Sequence, residues 1–130
     1  GLWHGGFYRL ILTFPTNYPL NPPVARFVPS IVHPNVYPSG TVCLSILQDK
    51  WKPNITIKQI LLGIQDLLDY PNLLSPAQSE AFALLTKNPE KYAALTKEYA
   101  KQNSQPFLKP HLPLHNQLDK SGSQQQTMEV

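Results

Sequence analysis

Cysteine, methionine and charge are all scarce in this chain. Its 130 residues include one cysteine, one methionine and only 15% charged residues. A single cysteine excludes an internal disulfide framework and any multi-cysteine zinc site. No apolar run approaches the roughly 20 residues that span a bilayer, and no charged-then-apolar signal segment opens the sequence. A formal net charge of +3 falls short of the clustered lysine and arginine of a nucleic-acid surface, and suits acidic or protein partners. Neither a nucleic-acid nor a membrane partner is expected, and the sequence reads as a soluble intracellular domain. The length allows one domain, and an apolar content of 42% is enough to fill its core.

What is abundant is proline, with 14 residues, seven of them between Pro15 and Pro38. Proline fixes φ and removes a backbone donor, so this stretch is expected to be extended chain and turns broken by short strands. Before it, residues 6–14 alternate Leu10, Leu12 and Phe14, which predicts a strand. Ala25 to Val28 is a plausible second strand, and Val42 to Ile46 a strand or an extended core segment. From Thr56 the period becomes helical. Thr56 and Gln59 form a capping box, and Ile57, Ile60, Leu61, Ile64, Leu67 and Leu68 make one apolar face that Pro71 ends. A second helix is expected to open at Ser75 and Pro76, and a third at Asn88 and Pro89, with Tyr92, Leu95 and Tyr99 inward. Strands followed by helices predict an α+β fold with segregated layers. The domain is placed at 1–103, and residues 104–130 are expected to form a mostly disordered tail, with Leu108, Leu112 and Leu114 its only candidates for packing.

Cys43 has three readings from residue chemistry alone: a small buried hydrophobe, a metal ligand or a nucleophile. The four histidines show no ligand spacing with it, so no metal site is expected. A thiol protease would need a base held by a third group, and nothing local orients His33 for that role. Asn35 beside a proline reads as a turn former, and Ser39, Gly40 and Thr41 as a turn.

The run His33, Pro34, Asn35, a short spacer, Gly40, then Cys43 and Leu44 resembles the active-site signature of ubiquitin-conjugating enzymes. Tyr18, Pro19, Asn21, Pro22, Pro23 and Phe27 are similar to that family's proline-rich stretch. Trp51 and Pro53, eight and ten residues after the cysteine, stand where the family has Trp and Pro. The resemblance runs from about Trp3 to Ala100. It implies a ubiquitin-conjugating fold, an antiparallel meander sheet followed by helices, in which the family's first helix and first strand are expected to be missing before Trp3. It also implies a modifier carried as a thioester on Cys43 and passed to a substrate lysine. A thiolate is both nucleophile and leaving group, so this exchange needs no strong local base. By resemblance Asn35 stabilises the oxyanion, directly or by holding the loop, and Tyr37 and Ser75 crowd the incoming amine. Lowering that amine's pKa from about 10.4 depends on desolvation and nearby polar groups. His33, Pro34 and Trp51 are expected to be structural.

Tyr37 to Leu47 and Ile55 to Leu68 are similar to the SUMO-conjugating branch, as is Pro76 to Ala81. That branch implies Ser39, Thr41 and Arg26 at a substrate's acidic residue, with Ala81 and Phe82 near the substrate backbone. Its partners would be SUMO or a related modifier, an activating enzyme, ligases, and substrates with a lysine in an acidic motif. The setting would be an ATP-dependent pathway in nucleus and cytoplasm, with no bound cofactor. This chain departs from the branch at Val24, which replaces a lysine, at Ser75, where Asp is usual, at Phe82 for Tyr, and in a Gln48–Trp51 loop two residues shorter. A ubiquitin-conjugating enzyme and a non-catalytic binding module of the same fold are the alternatives.

Overall fold

A computed structural model of the chain describes residues 1–106, Gln117–Leu118 and Gln124–Glu129. Strand β1 (Arg9–Phe14) pairs antiparallel with β2 (Val24–Phe27), setting Leu10 opposite Phe27 and Leu12 opposite Ala25. These four side chains are buried, as the alternating pattern requires of one sheet face. The third strand of the expected meander is reduced to two isolated bridges, Arg26 with Thr41 and Val36 with Val42. Val42 and Leu47 enter the core, and Ser45–Leu47 winds into a single 3-10 turn.

Helix α1 (Ile57–Asp69) lays Ile60, Ile64, Leu67 and Leu68 in the same core as β1 and β2. It starts as predicted: the Thr56 hydroxyl accepts the Gln59 N–H at 3.1 Å, and the Gln59 side chain accepts the Thr56 N–H at 2.8 Å. Helix α3 (Pro89–Gln102) also starts where expected, with the Asn88 side chain accepting the Lys91 N–H. Its inward stripe is Tyr92, Thr96 and Ala100 at i, i+4 spacing, while Leu95 is half exposed and so corrects the inward placement expected for it.

Helix α2 (Ser79–Lys87) begins three residues later than predicted, and Gln78 rather than Ser75 stands at its cap position. Tertiary bonds hold the segment before it extended. The Ala77 N–H donates to the Pro34 carbonyl at 2.7 Å. The Gln78 side chain donates to the Ile31 and Val36 carbonyls at 3.0 and 2.9 Å. These bonds reach across 40 or more residues of sequence, where cap propensity carries no information.

Residues 104–130, expected to lack packed structure, contain strands β3 (Gln117–Leu118) and β4 (Gln124–Glu129). β4 pairs antiparallel along all six residues of β1, on the edge opposite β2, giving a sheet of order β2-β1-β4-β3. Ladder hydrogen bonds satisfy the backbone of β1 and need no apolar period in the partner, so hydropathy did not signal this strand. Leu108, Leu112 and Leu114 lie outside the described residues. Among the described residues no helix is long and apolar enough to cross a membrane.

Candidate active site

The segment 33–43 folds back on itself and is fixed to the sheet at several points. Val42 donates to the Ala25 carbonyl at 2.9 Å, and Phe27 donates to the Gly40 carbonyl at 2.8 Å. Gly40 takes a φ of +94°, and a Cβ there would collide with the Phe27 carbonyl oxygen, so glycine is required on both counts. Tyr37 closes the turn, donating to Thr41 and accepting from Gly40 through its backbone. Next along the chain, the Cys43 N–H donates to the Asn35 carbonyl at 2.8 Å, which fixes the cysteine to the segment carrying Asn35. The thiol is free and half-buried.

Beneath the cysteine lies a fully buried pair, His33 and Asn35, each at 0% exposure. His33 Nδ1 accepts the Asn35 backbone N–H at 3.0 Å, which leaves the ring proton on Nε2 to donate to the Leu67 carbonyl at 2.9 Å. Burial drives the His33 pKa down to about 4, against the smaller upward pull of the Leu67 and Leu68 carbonyls. Both ring nitrogens of the neutral imidazole are thereby occupied.

The Asn35 carboxamide spans to the loop before α2. Nδ2 donates to the Asn72 carbonyl at 2.7 Å and to the Ser75 carbonyl at 3.0 Å, while Oδ1 accepts the Asn72 N–H at 2.7 Å. Both amide hydrogens are therefore committed to the loop. Of its two anticipated roles, the geometry fits holding the loop; an oxyanion contact would first have to break one of these bonds.

The remaining predicted residues divide between surface and interior. Ser39 and Thr41 are joined by a 3.0 Å hydroxyl contact, and Arg26 bridges to Thr41 through the backbone, so these three share one patch. Tyr37 and Ser75 are exposed, and Ser75 enters the network through its carbonyl. Trp51 donates its indole N–H to the Pro19 carbonyl at 3.0 Å, and Pro34 is buried with its carbonyl on Ala77. Ala81 corrects the expectation placed on it. At 0% exposure it faces the interior and offers no surface to a substrate, whereas its neighbour Phe82 is partly exposed.

Three residues of the site were not anticipated: Gln48, Asn72 and Gln78. The Gln48 carboxamide lies beside the sulfur of Cys43, with Nε2 at 3.8 Å and Oε1 at 3.9 Å. Asn72 had a local signal, because asparagine after proline is turn chemistry, and its side chain does accept the Leu74 N–H at 3.0 Å. Gln48 and Gln78 act on distant or non-periodic neighbours and had none. Among the described residues no cluster of His, Cys, Asp or Glu is placed to hold a metal ion.

Residues 1–100 match the family model described as ubiquitin-conjugating enzyme. The chain is 50% identical over 101 residues to the SUMO-conjugating enzyme UBC9 of Caenorhabditis elegans, covering 76% of this chain and 61% of that protein. It is 54% identical over 101 residues to the Sumo-conjugating enzyme ubc9 of Dictyostelium discoideum, covering 76% and 64%. It is 51% identical over 102 residues to the SUMO-conjugating enzyme SCE1 of Arabidopsis thaliana, covering 77% and 64%. The chain thus spans a little over three-fifths of the length of these relatives. With a free cysteine backed by a buried asparagine and histidine, and a match over residues 1–100, the chain belongs to the ubiquitin-conjugating enzyme family.

Proposed function

We propose that this chain accepts a ubiquitin-like modifier, SUMO, from an activating enzyme as a thioester on Cys43 and transfers it to the lysine of a substrate protein. The observation that carries the reading is the buried Asn35 bridge. It joins the backbone of Cys43 to the loop holding Ser75, so that the thiol and the acceptor side of the site are one rigid unit. Similarity to three SUMO-conjugating enzymes supports the choice of modifier.

In this reading the thiolate of Cys43 attacks the modifier's carboxyl-terminal carbonyl, presented as a thioester by the activating enzyme. The new C–S bond forms, the old C–S bond breaks, and its electron pair leaves on the activating enzyme's thiolate. A lysine amine then attacks the thioester carbon; the C–N bond forms, the C–S bond breaks, and its electron pair returns to sulfur. Asn35 acts as a positioning residue. Tyr37 and the Ser75 loop crowd and desolvate the amine, which favours its neutral, nucleophilic form. Ser39, Thr41 and Arg26 form the patch for an acidic residue near the acceptor lysine, with Phe82 beside the substrate backbone. Serine at position 75 supplies no negative charge, so help to the amine there is steric and polar rather than ionic.

The test is a charging assay with the activating enzymes and equal SUMO and ubiquitin in competition. A SUMO adduct that survives denaturation and is released by excess thiol is expected. Charging by ubiquitin alone overturns the modifier, and no charging by either favours a binding module of this fold.

A further inference from the structure

Gln48 stands apart from the residues above because it touches the reacting atom itself. Its backbone is held on both sides: its N–H donates to the Ser45 carbonyl at 3.0 Å, and its carbonyl accepts the Trp51 N–H at 3.2 Å. Trp51 is in turn anchored by its indole on the Pro19 carbonyl. A 3-10 turn pinned in this way aims the Gln48 carboxamide at the Cys43 sulfur, with both polar atoms within 3.9 Å. A carboxamide is suited to both states of a thiol. Oε1 accepts an S–H, and after rotation Nε2–H donates to a thiolate, so one neutral group serves the sulfur before and after deprotonation.

Charged and titratable groups on the neighbouring elements do not take this place. His33 is turned inward to Asn35 and Leu67. Tyr37 joins the site through its backbone. Asp49 and Lys50 follow Gln48, and neither makes a hydrogen bond to Cys43 among the described residues. The sulfur anion is therefore met by an amide dipole.

We propose that Gln48 steadies the sulfur anion of Cys43, and so its ability to attack and to leave, by donating its amide N–H to it. The bond to the anion is a property of the chain by itself. The effect on transfer rests on the thioester reading: as the lysine nitrogen bonds to the carbonyl carbon, the C–S bond breaks, its electron pair stays on sulfur, and Gln48 Nε2–H donates a hydrogen bond to the resulting thiolate. The surplus amine proton leaves to solvent.

The experiment follows alkylation of the single cysteine by iodoacetamide across pH, in the unmodified chain and in Gln48→Leu and Gln48→Glu. Gln48 is exposed, so neither change threatens the core, and helical circular dichroism verifies the fold. Gln48→Glu places a like charge about 4 Å from the sulfur, which disfavours the thiolate, and is expected to slow alkylation at pH 7 roughly tenfold. Gln48→Leu is expected to slow it by less, with all three rates converging at high pH. Superimposable profiles for the three chains overturn the proposal. A shifted profile in a chain that forms no adduct with SUMO or ubiquitin keeps the Gln48 inference and removes the thioester reading. Normal charging with unshifted profiles does the reverse.

Discussion

The two sides of Cys43 are built differently. Below it, His33 and Asn35 are fully buried and every polar atom of both side chains is hydrogen-bonded. Around it, Tyr37, Ser39, Gln48 and Ser75 are exposed; the Ser39 hydroxyl meets Thr41 and the Gln48 carboxamide meets Cys43. The difference teaches which residues hold and which touch. A buried, saturated polar group spends its bonding capacity on geometry, whereas an exposed one keeps capacity for a partner. Substitutions below the cysteine should therefore cost stability and rate together, and those around it should change reactivity or selectivity with the fold intact.

The largest expected effect is Asn35→Ala. It removes the side-chain partner of the Asn72 N–H and of the Ser75 carbonyl, and leaves the Asn72 carbonyl only the longer 3.5 Å bond from the Ser75 N–H. We expect a loss of roughly 2–4 kcal/mol in urea unfolding, and a fall of about 100-fold in discharge of a preformed thioester to lysine. A variant that keeps full stability and full discharge would erase the distinction between the two sides.

His33 sharpens the same comparison through pH. Its folded pKa of about 4 lies below the unfolded value of about 6.5, so the unfolded chain binds the extra proton between them. Stability is unaffected by this group above pH 6.5 and declines as pH falls, by up to about 3 kcal/mol at pH 4. Unfolding midpoints at pH 7.5 and pH 5 should differ in the unmodified chain and differ less in His33→Gln. An unchanged pH dependence in that variant would show that the buried ring does not contribute.

Gly40→Ala comes next. The positive φ and the Phe27 carbonyl oppose any side chain, and a cost of about 1–3 kcal/mol is expected in thermal or urea unfolding. The smallest effect on stability belongs to Ser39→Ala and Thr41→Ala, within about 0.5 kcal/mol. Their expected signature is a weaker preference for peptides with an acidic residue near the acceptor lysine, read in competition transfer. Loss of stability without change in preference would move this patch to the holding side.

How far the sequence reveals each part follows from the range of the forces involved. Helix α1 and its capping box were legible because Thr56, Gln59 and the apolar face interact within a few residues. So was the start of α3 at Asn88. The start of α2 was not, since Ala77 and Gln78 are bound to residues 31–36 rather than to their own helix. Ala81 was placed at the substrate by analogy, and packing put it inside. The motif from His33 to Cys43 named the site, but residue types alone left Asn35 as a turn former. Its three bonds to Asn72 and Ser75 appear only once the chain is folded.

Everything proposed for the site depends on Cys43 carrying the modifier. The most direct measurement is the intact mass and site of the adduct after incubation with activating enzyme, ATP and SUMO. One SUMO per chain is expected on Cys43, released by thiol, replaced by a thiol-resistant oxyester in Cys43→Ser and absent in Cys43→Ala. An adduct that persists in Cys43→Ala, or none on the unmodified chain, would contradict it.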